Sequence, residues 1–237
     1  HFREAGAEDR ALHYYSLAGD AAARLYANQE AITQYSRAIE IARRDSATDA
    51  QLIHLYTRLG RTYEVGGQFD QALEIYAELE KLGSERGKPA LELAALLPQA
   101  TVLSVPSARW DADRAQAVAA RALDLARGLG DPRSESRALW NLMLVENYLE
   151  RDQRRGIEHG ERALAIARQH GLVEEQAFAL HDLSRAYMQM GRMREGQSAL
   201  EESRELWRRL ENLPLLADNL VSSAMPHFHA GAFAEAK

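Results

Sequence analysis

The chain contains no cysteine, which excludes disulfides and thiolate metal sites. That absence fits a reducing compartment, so a cytoplasmic location is expected. No run of about 18 apolar residues occurs, so no membrane-spanning helix and no membrane partner are expected. The first residues lack the basic, apolar and small-residue segments of a signal peptide. Proline is scarce, at 6 of 237 residues, which leaves long stretches free to be helical. β-Branched residues are few, and no strand-like alternation is visible. Neither sign of charge forms a stripe. The net charge is −6 with both signs interspersed, so the basic face that nucleic acid demands is missing and direct nucleic-acid binding is not expected.

Catalytic signatures are missing too. There is no Gly-x-x-x-x-Gly-Lys-Ser/Thr phosphate loop, no Gly-x-Gly-x-x-Gly and no His-Glu-x-x-His. No Gly-x-Ser-x-Gly elbow occurs among the serines. The closest metal-like spacing is His227-Phe228-His229, and residues two apart on a helix face different directions. No metal site, no cofactor and no enzymatic activity are therefore expected. Glu174-Glu175 reads as an acidic helix start, and Glu201-Glu202 as a solvated face. His159 and His170 read as surface or boundary histidines. Trp140 and Trp207 read as packing residues, whereas Trp110 lies in a linker and is available to a partner.

What the chain does have is helical periodicity. In 71–79 apolar residues recur at i, i+3, i+4 and i+7, making one helical face. Candidate breakers are Gly6, Gly19, Gly66-Gly67, Gly83, Gly130, Gly171, Gly191 and Gly231. A small residue opens the second helix of each pair at Ala11, Ala31, Ala72, Ala115, Gly156, Gly196 and Ala236. After a first step of 20 the steps are 41, 43, 41, 40 and 40. Four residues on come Tyr15, Tyr35, Tyr76, Ala119, Gly160 and Leu200. Three further on come Ala18, Ala38, Leu79, Ala122, Ala163 and Ser203. Small residues let paired helices approach closely, and large ones fill the spaces left. Pro98 and Pro106 predict a kink or an early end near residues 104 to 107, and Pro226 a disturbance around 223 to 228.

The segment Tyr56-Leu59-Gly60-Tyr63, then Gly67-Gln68-Phe69, then Ala72, Tyr76 and Leu79 resembles the tetratricopeptide pattern. The expected fold is all-α, a right-handed superhelical solenoid of antiparallel helix pairs. Its period is about 40 residues rather than the family's usual ~34. The extra residues lengthen each pair by about 10 Å in all. The reading is one array over 1–237, with hairpins at 1–19, 20–45, 48–87, 88–130, 131–171, 172–212 and an incomplete one at 213–237. His1-Phe2-Arg3-Glu4-Ala5-Gly6 and Gly231 to Lys237 show no polar cap. The expectation is a piece of a longer protein, able to self-associate through its uncapped ends.

A narrower likeness lies in 1–32, through His1 to Gly6, Ala11-Leu12-His13-Tyr14-Tyr15-Ser16-Leu17-Ala18-Gly19-Asp20-Ala21-Ala22 and Leu25 to Ile32. This resembles the start of the sensor repeats in bacterial STAND-class ATPase regulators and ATPase-linked nucleotide cyclases. None of the ATPase motifs is in this chain. The resemblance implies a non-catalytic interaction or scaffold module, the sensor arm of a larger signalling ATPase. Its expected partner is a protein or peptide, or alternatively a small effector held inside the superhelix. It also implies that first helices line a concave groove. That places His54, Thr57, Arg61 and Glu64 in one repeat and Asn141, Val145 and Tyr148 in another. Phe178, His181, Arg185 and Met188 follow, then Val221, Met225 and Phe228. Such a mixture of polar anchors, Met and aromatics suits an extended peptide or an amphipathic helix.

Overall fold

A computed structural model describes residues 8–44, 47–105, 109–148 and 152–229, with side chains as far as 223. The chain-end sequences without polar caps lie outside the described residues, as do the side chains of Met225, Phe228 and the His227/His229 pair. Eleven α-helices and no strands are present among the described residues. The chain divides into two compact units, His1–Leu125 and Ala126–Lys237.

The first unit contains α1 (Glu8–Arg24), α2 (Asn28–Ala42), α3 (Asp49–Val65), α4 (Phe69–Arg86), α5 (Pro89–Ser104) and most of α6 (Ala112–Leu129). From α1 to α5 each helix packs on the next, and α3 also meets α5. Two first expectations need correcting. Residues 1–19 and 20–45 are not two hairpins: α1 runs through Gly19, and α1 with α2 makes one pair. Gly19 is buried inside the helix, where a Cβ would lie 2.6 Å from the Tyr35 ring. Gly83 is likewise no breaker. It is buried within α4, and a Cβ there would lie 2.7 Å from the backbone nitrogen of Glu92.

Local chemistry sets the helix ends. Thr48 and Gln51 form a capping box at the start of α3, each side chain meeting the other's backbone N–H. Pro89 opens α5, where its missing N–H costs nothing. At the other end α5 stops at Ser104, and Val105, which precedes Pro106, is extended (φ −97°, ψ 146°). Pro98 is absorbed within α5.

The second unit holds the end of α6, then α7 (Pro132–Tyr148), α8 (Gln153–Gln169), α9 (Val173–Gln189), α10 (Met193–Arg209) and α11 (Leu213–His229). From α7 to α11 neighbours pack in sequence, and α7 also meets α9. Asp131 accepts from the Arg133 and Ser134 N–H groups at the start of α7, and Asp152 from those of Arg154 and Arg155 at the start of α8. Pro226 does not end α11, which runs on to His229.

The periodic positions are the helix-pair contacts. Ala31, Ala72, Ala115, Gly156 and Gly196 are all buried, as are Ala38, Leu79, Ala122, Ala163 and Ser203. The central contact trades size between helices. In the first unit Gly19 faces Tyr35, and 41 residues later Gly60 faces Tyr76. In the second unit the large partner sits on the first helix, where Met143 fills the space over Gly160. A polar contact is exchanged in the same manner. The Ser136 hydroxyl of α7 donates to the Ala163 carbonyl of α8 at 2.9 Å. In the next pair the Ser203 hydroxyl of α10 donates to the Ala177 carbonyl of α9 at 3.0 Å. Either helix can supply the volume or the donor, provided its partner gives way.

Candidate binding faces

In the first unit α1 carries Asp20 next to Gly19, so the gap that admits the Tyr35 ring also brings its hydroxyl to a carboxylate. Tyr35 donates to Asp20 at 2.7 Å. Burial, then the bond to Asp20, pushes the Tyr35 phenol well above its ordinary range. The ring nitrogen Nε2 of His54 on α3 meets the same carboxylate at 3.2 Å. A second arrangement of this kind follows: Tyr76 donates to Glu64 at 2.5 Å, and Arg61 donates to the other Glu64 oxygen at 2.6 Å. Burial and the Glu64 charge push the Tyr76 phenol up as well. Among the expected groove residues here, His54 is half-buried and Arg61 exposed. The Glu64 carboxylate is taken up by Tyr76 and Arg61. The half-buried Thr57 donates its hydroxyl back to the Ile53 carbonyl at 2.6 Å.

A cavity of about 300 Å³ opens beside this cluster. Asp20, Arg24, Tyr26, Arg58 and Arg61 line it, with Tyr35 beneath. Only Arg61 was expected at a site. Reading Gly19 as a turn hides the rest, since it detaches Asp20 and Arg24 from α1. The 41-residue match of Gly19/Tyr35 to Gly60/Tyr76 is the signal that could have restored them.

In the second unit the expected residues separate into three fates. Asn141 and Val145 are buried completely. Their helix, α7, is covered by both α8 and α9, so they offer no surface, which corrects their placement in a groove. Phe178 is half-buried between two tryptophans, its ring centroid 5.1 Å from that of Trp140 and 4.9 Å from that of Trp207. The Arg137 guanidinium caps Phe178 at 4.6 Å and Trp140 at 5.1 Å. Met188 is spent on packing, since it stands where a Cβ on Gly196 would be.

Tyr148, His181 and Arg185 form the third group: the structure brings Tyr148 and Arg185 into contact, and the charge of Asp218, which His181 meets, acts on both. The Arg185 guanidinium lies 4.3 Å from the Tyr148 ring centroid and 3.2 Å from Asp182. Asp182 also accepts from the Trp140 indole at 2.8 Å. His181 pairs with Asp218 on α11 at 3.3 Å. Burial disfavours the Arg185 charge, but Asp182, Tyr148 and Asp218 outweigh it and hold the cation more firmly than usual. Burial and Asp182 push the Tyr148 phenol up. Asp182 escaped sequence reasoning because it sits one residue off the groove register, on the side facing Trp140. Val221 on α11 is exposed.

Among the described residues no group of three His, Asp or Glu side chains could hold a metal ion, and no helix is long and apolar enough to cross a membrane. No known family profile matches the chain, and no curated protein matches it by sequence. Solved structures do. A STAND protein with a tetratricopeptide repeat sensor from Pyrococcus horikoshii superposes with a TM-score of 0.60 at 14% identity, over 81% of this chain and 30% of that one. A kinesin light chain from Podosopora anserina with nearly identical TPR-like repeats gives 0.60 at 16% identity, over 84% and 96%. The chain has the tetratricopeptide-like repeat fold. The repeat chain is also similar to the Rap conjugation gene regulator of plasmid pLS20, solved in complex with the Phr* peptide. That match has a TM-score of 0.72 at 16% identity, over 92% of this chain and 58% of the regulator.

Proposed function

We propose that the repeat chain is a non-catalytic binding module that takes a peptide segment of a partner protein on the α7–α9 face of its second unit. The observation that carries this reading is the Tyr148–Arg185–Asp182 network. It combines an aromatic face, a firmly charged and part-exposed guanidinium, and a carboxylate that fixes the guanidinium's direction. Such a group reads a backbone carbonyl or an acidic side chain without reorganising, because its own rotamers are already held. The peptide bound by the similar Rap regulator supports the same mode. The likeness of residues 1–32 to STAND sensor repeats, together with the similar STAND structure, supports a place as the sensor arm of a larger signalling ATPase.

The test is selection of peptides from a random displayed library on the whole chain, followed by calorimetry on wild type and on Tyr148→Ala/Arg185→Ala. Selected peptides are expected to lose about tenfold or more in affinity on the double variant, as for interface aromatic and arginine anchors. Undiminished binding by that variant would remove the α7–α9 face from the proposal.

A further inference from the structure

The cavity of the first unit is built differently from a packing defect. Asp20 is its only lining carboxylate, and that carboxylate is already engaged by the Tyr35 hydroxyl at 2.7 Å and by His54 at 3.2 Å. Arg24, from the last turn of α1, and Arg58, from the middle of α3, both face this cavity. Neither makes an ion pair with any described residue. Both are near enough to the buried Tyr35 hydroxyl for their charges to act on it. The third arginine, Arg61, is balanced by Glu64. The local balance is therefore positive, in a chain whose net charge is −6.

A second observation points to the same place. Tyr26 lines the cavity and is held in the left-handed region at φ 56°. The matching turn 41 residues on uses Gly67, at φ 71°. A left-handed conformation costs a non-glycine residue roughly 1–2 kcal/mol. The first hairpin bears that cost to keep a phenol where the second keeps none, and the phenol is largely exposed at the cavity rim. Glu211 is strained in the same way at φ 53°, so strain alone marks no site; at Tyr26 it coincides with the arginine-lined cavity.

We propose that this cavity binds a small organic oxyanion, a carboxylate or a phosphoryl group, clamped between the Arg24 and Arg58 guanidiniums with the Tyr26 phenol at its edge. Two arginines lining one space can offer their planar forks to an oxyanion. The volume lies at the lower end of small-ligand pockets. The site shares no residue with the α7–α9 face and does not depend on the peptide reading.

The experiment is thermal shift and calorimetry on the whole chain with inorganic phosphate and, separately, succinate, each against sodium chloride at matched ionic strength. At least one of the two raises the melting temperature beyond the chloride control, and which one does so distinguishes the phosphoryl from the carboxylate source. Arg24→Gln/Arg58→Gln weakens that binding about tenfold or more. Because neither arginine has an ion-pair partner to lose among the described residues, the unliganded variant keeps the wild-type circular dichroism and melting temperature. Arg24→Lys/Arg58→Lys preserves charge without the fork and binds with intermediate affinity. Shifts no larger than those of chloride, or equal shifts in wild type and the glutamine variant, overturn the proposal.

Discussion

Glycine has two opposite uses in this chain, and only its neighbours tell them apart. Gly60 lies buried in α3 under the Tyr76 ring, and a methyl group there would overlap that ring. Tyr76 cannot move aside, being almost wholly buried with its hydroxyl fixed on Glu64. Gly128 lies in α6 with nothing within 4 Å of a Cβ. Helix propensity favours alanine at both sites by about 1 kcal/mol. Overpacking costs roughly 1–3 kcal/mol and reverses the sign at Gly60 only. Gly60→Ala is therefore expected to destabilise by up to about 2 kcal/mol, while Gly128→Ala stabilises by roughly 0.5–1 kcal/mol. Urea unfolding of both variants checks the pair. A rise in midpoint for Gly60→Ala would disprove the close packing.

The element that repeats most faithfully is the turn. The connections α1–α2, α3–α4, α4–α5, α6–α7, α8–α9, α9–α10 and α10–α11 each place one residue at positive φ. Five are glycine (Gly67, Gly87, Gly130, Gly171 and Gly191), and two are Tyr26 and Glu211. This is the left-handed helix ending, which satisfies the last carbonyls of the helix. At the α10–α11 turn the Asn212 N–H accordingly reaches back to the Trp207 carbonyl at 3.1 Å. Glu211 is exposed, has no ion-pair partner among the described residues and sits at φ 53°. Glu211→Gly is expected to stabilise the chain by about 1 kcal/mol, raising Tm by roughly 2–4 °C in a chain of this length. Calorimetry decides it, and an unchanged or lower Tm would mean that Glu211 has a contact worth the strain.

Across the whole molecule the question is how stability follows pH. The sequence pI is about 5.8, so mild acid removes the net charge and the repulsion that keeps copies apart. One histidine adds a folding term in the same window. His159 is half-buried, its Nδ1 has no hydrogen-bond partner among the described residues, and burial together with Arg155 and Arg162 depresses its pKa. A depressed folded-state value means that the unfolded chain takes the proton first. Stability is then fully present above the unfolded value near 6.5 and declines as pH falls toward and through the lower folded value. Wild type should lose Tm more steeply than His159→Gln as pH falls below about 6.5. Parallel slopes in the two proteins would show that His159 is uninvolved and that other groups set the acid limit.

Much of the architecture follows from sequence alone. The helical period, the 40- to 43-residue spacing and the small-residue positions are local or repetitive properties, set by which residues can sit at a close helix crossing. The tertiary structure decided what spacing could not. It made Gly19 a place for Tyr35 rather than a turn, because the ring that fills the gap comes from another helix. It buried Asn141 and Val145, since coverage of α7 by both α8 and α9 is no property of α7. It assembled Asp20, Arg24, Tyr26 and Arg58 around one cavity, and it joined Asp182 to Tyr148 and Arg185 across 34 residues of chain. Periodicity says which face of a helix is inward. Only the packing partners say whether that face is closed by a ring, opened to solvent, or left as a charged hollow.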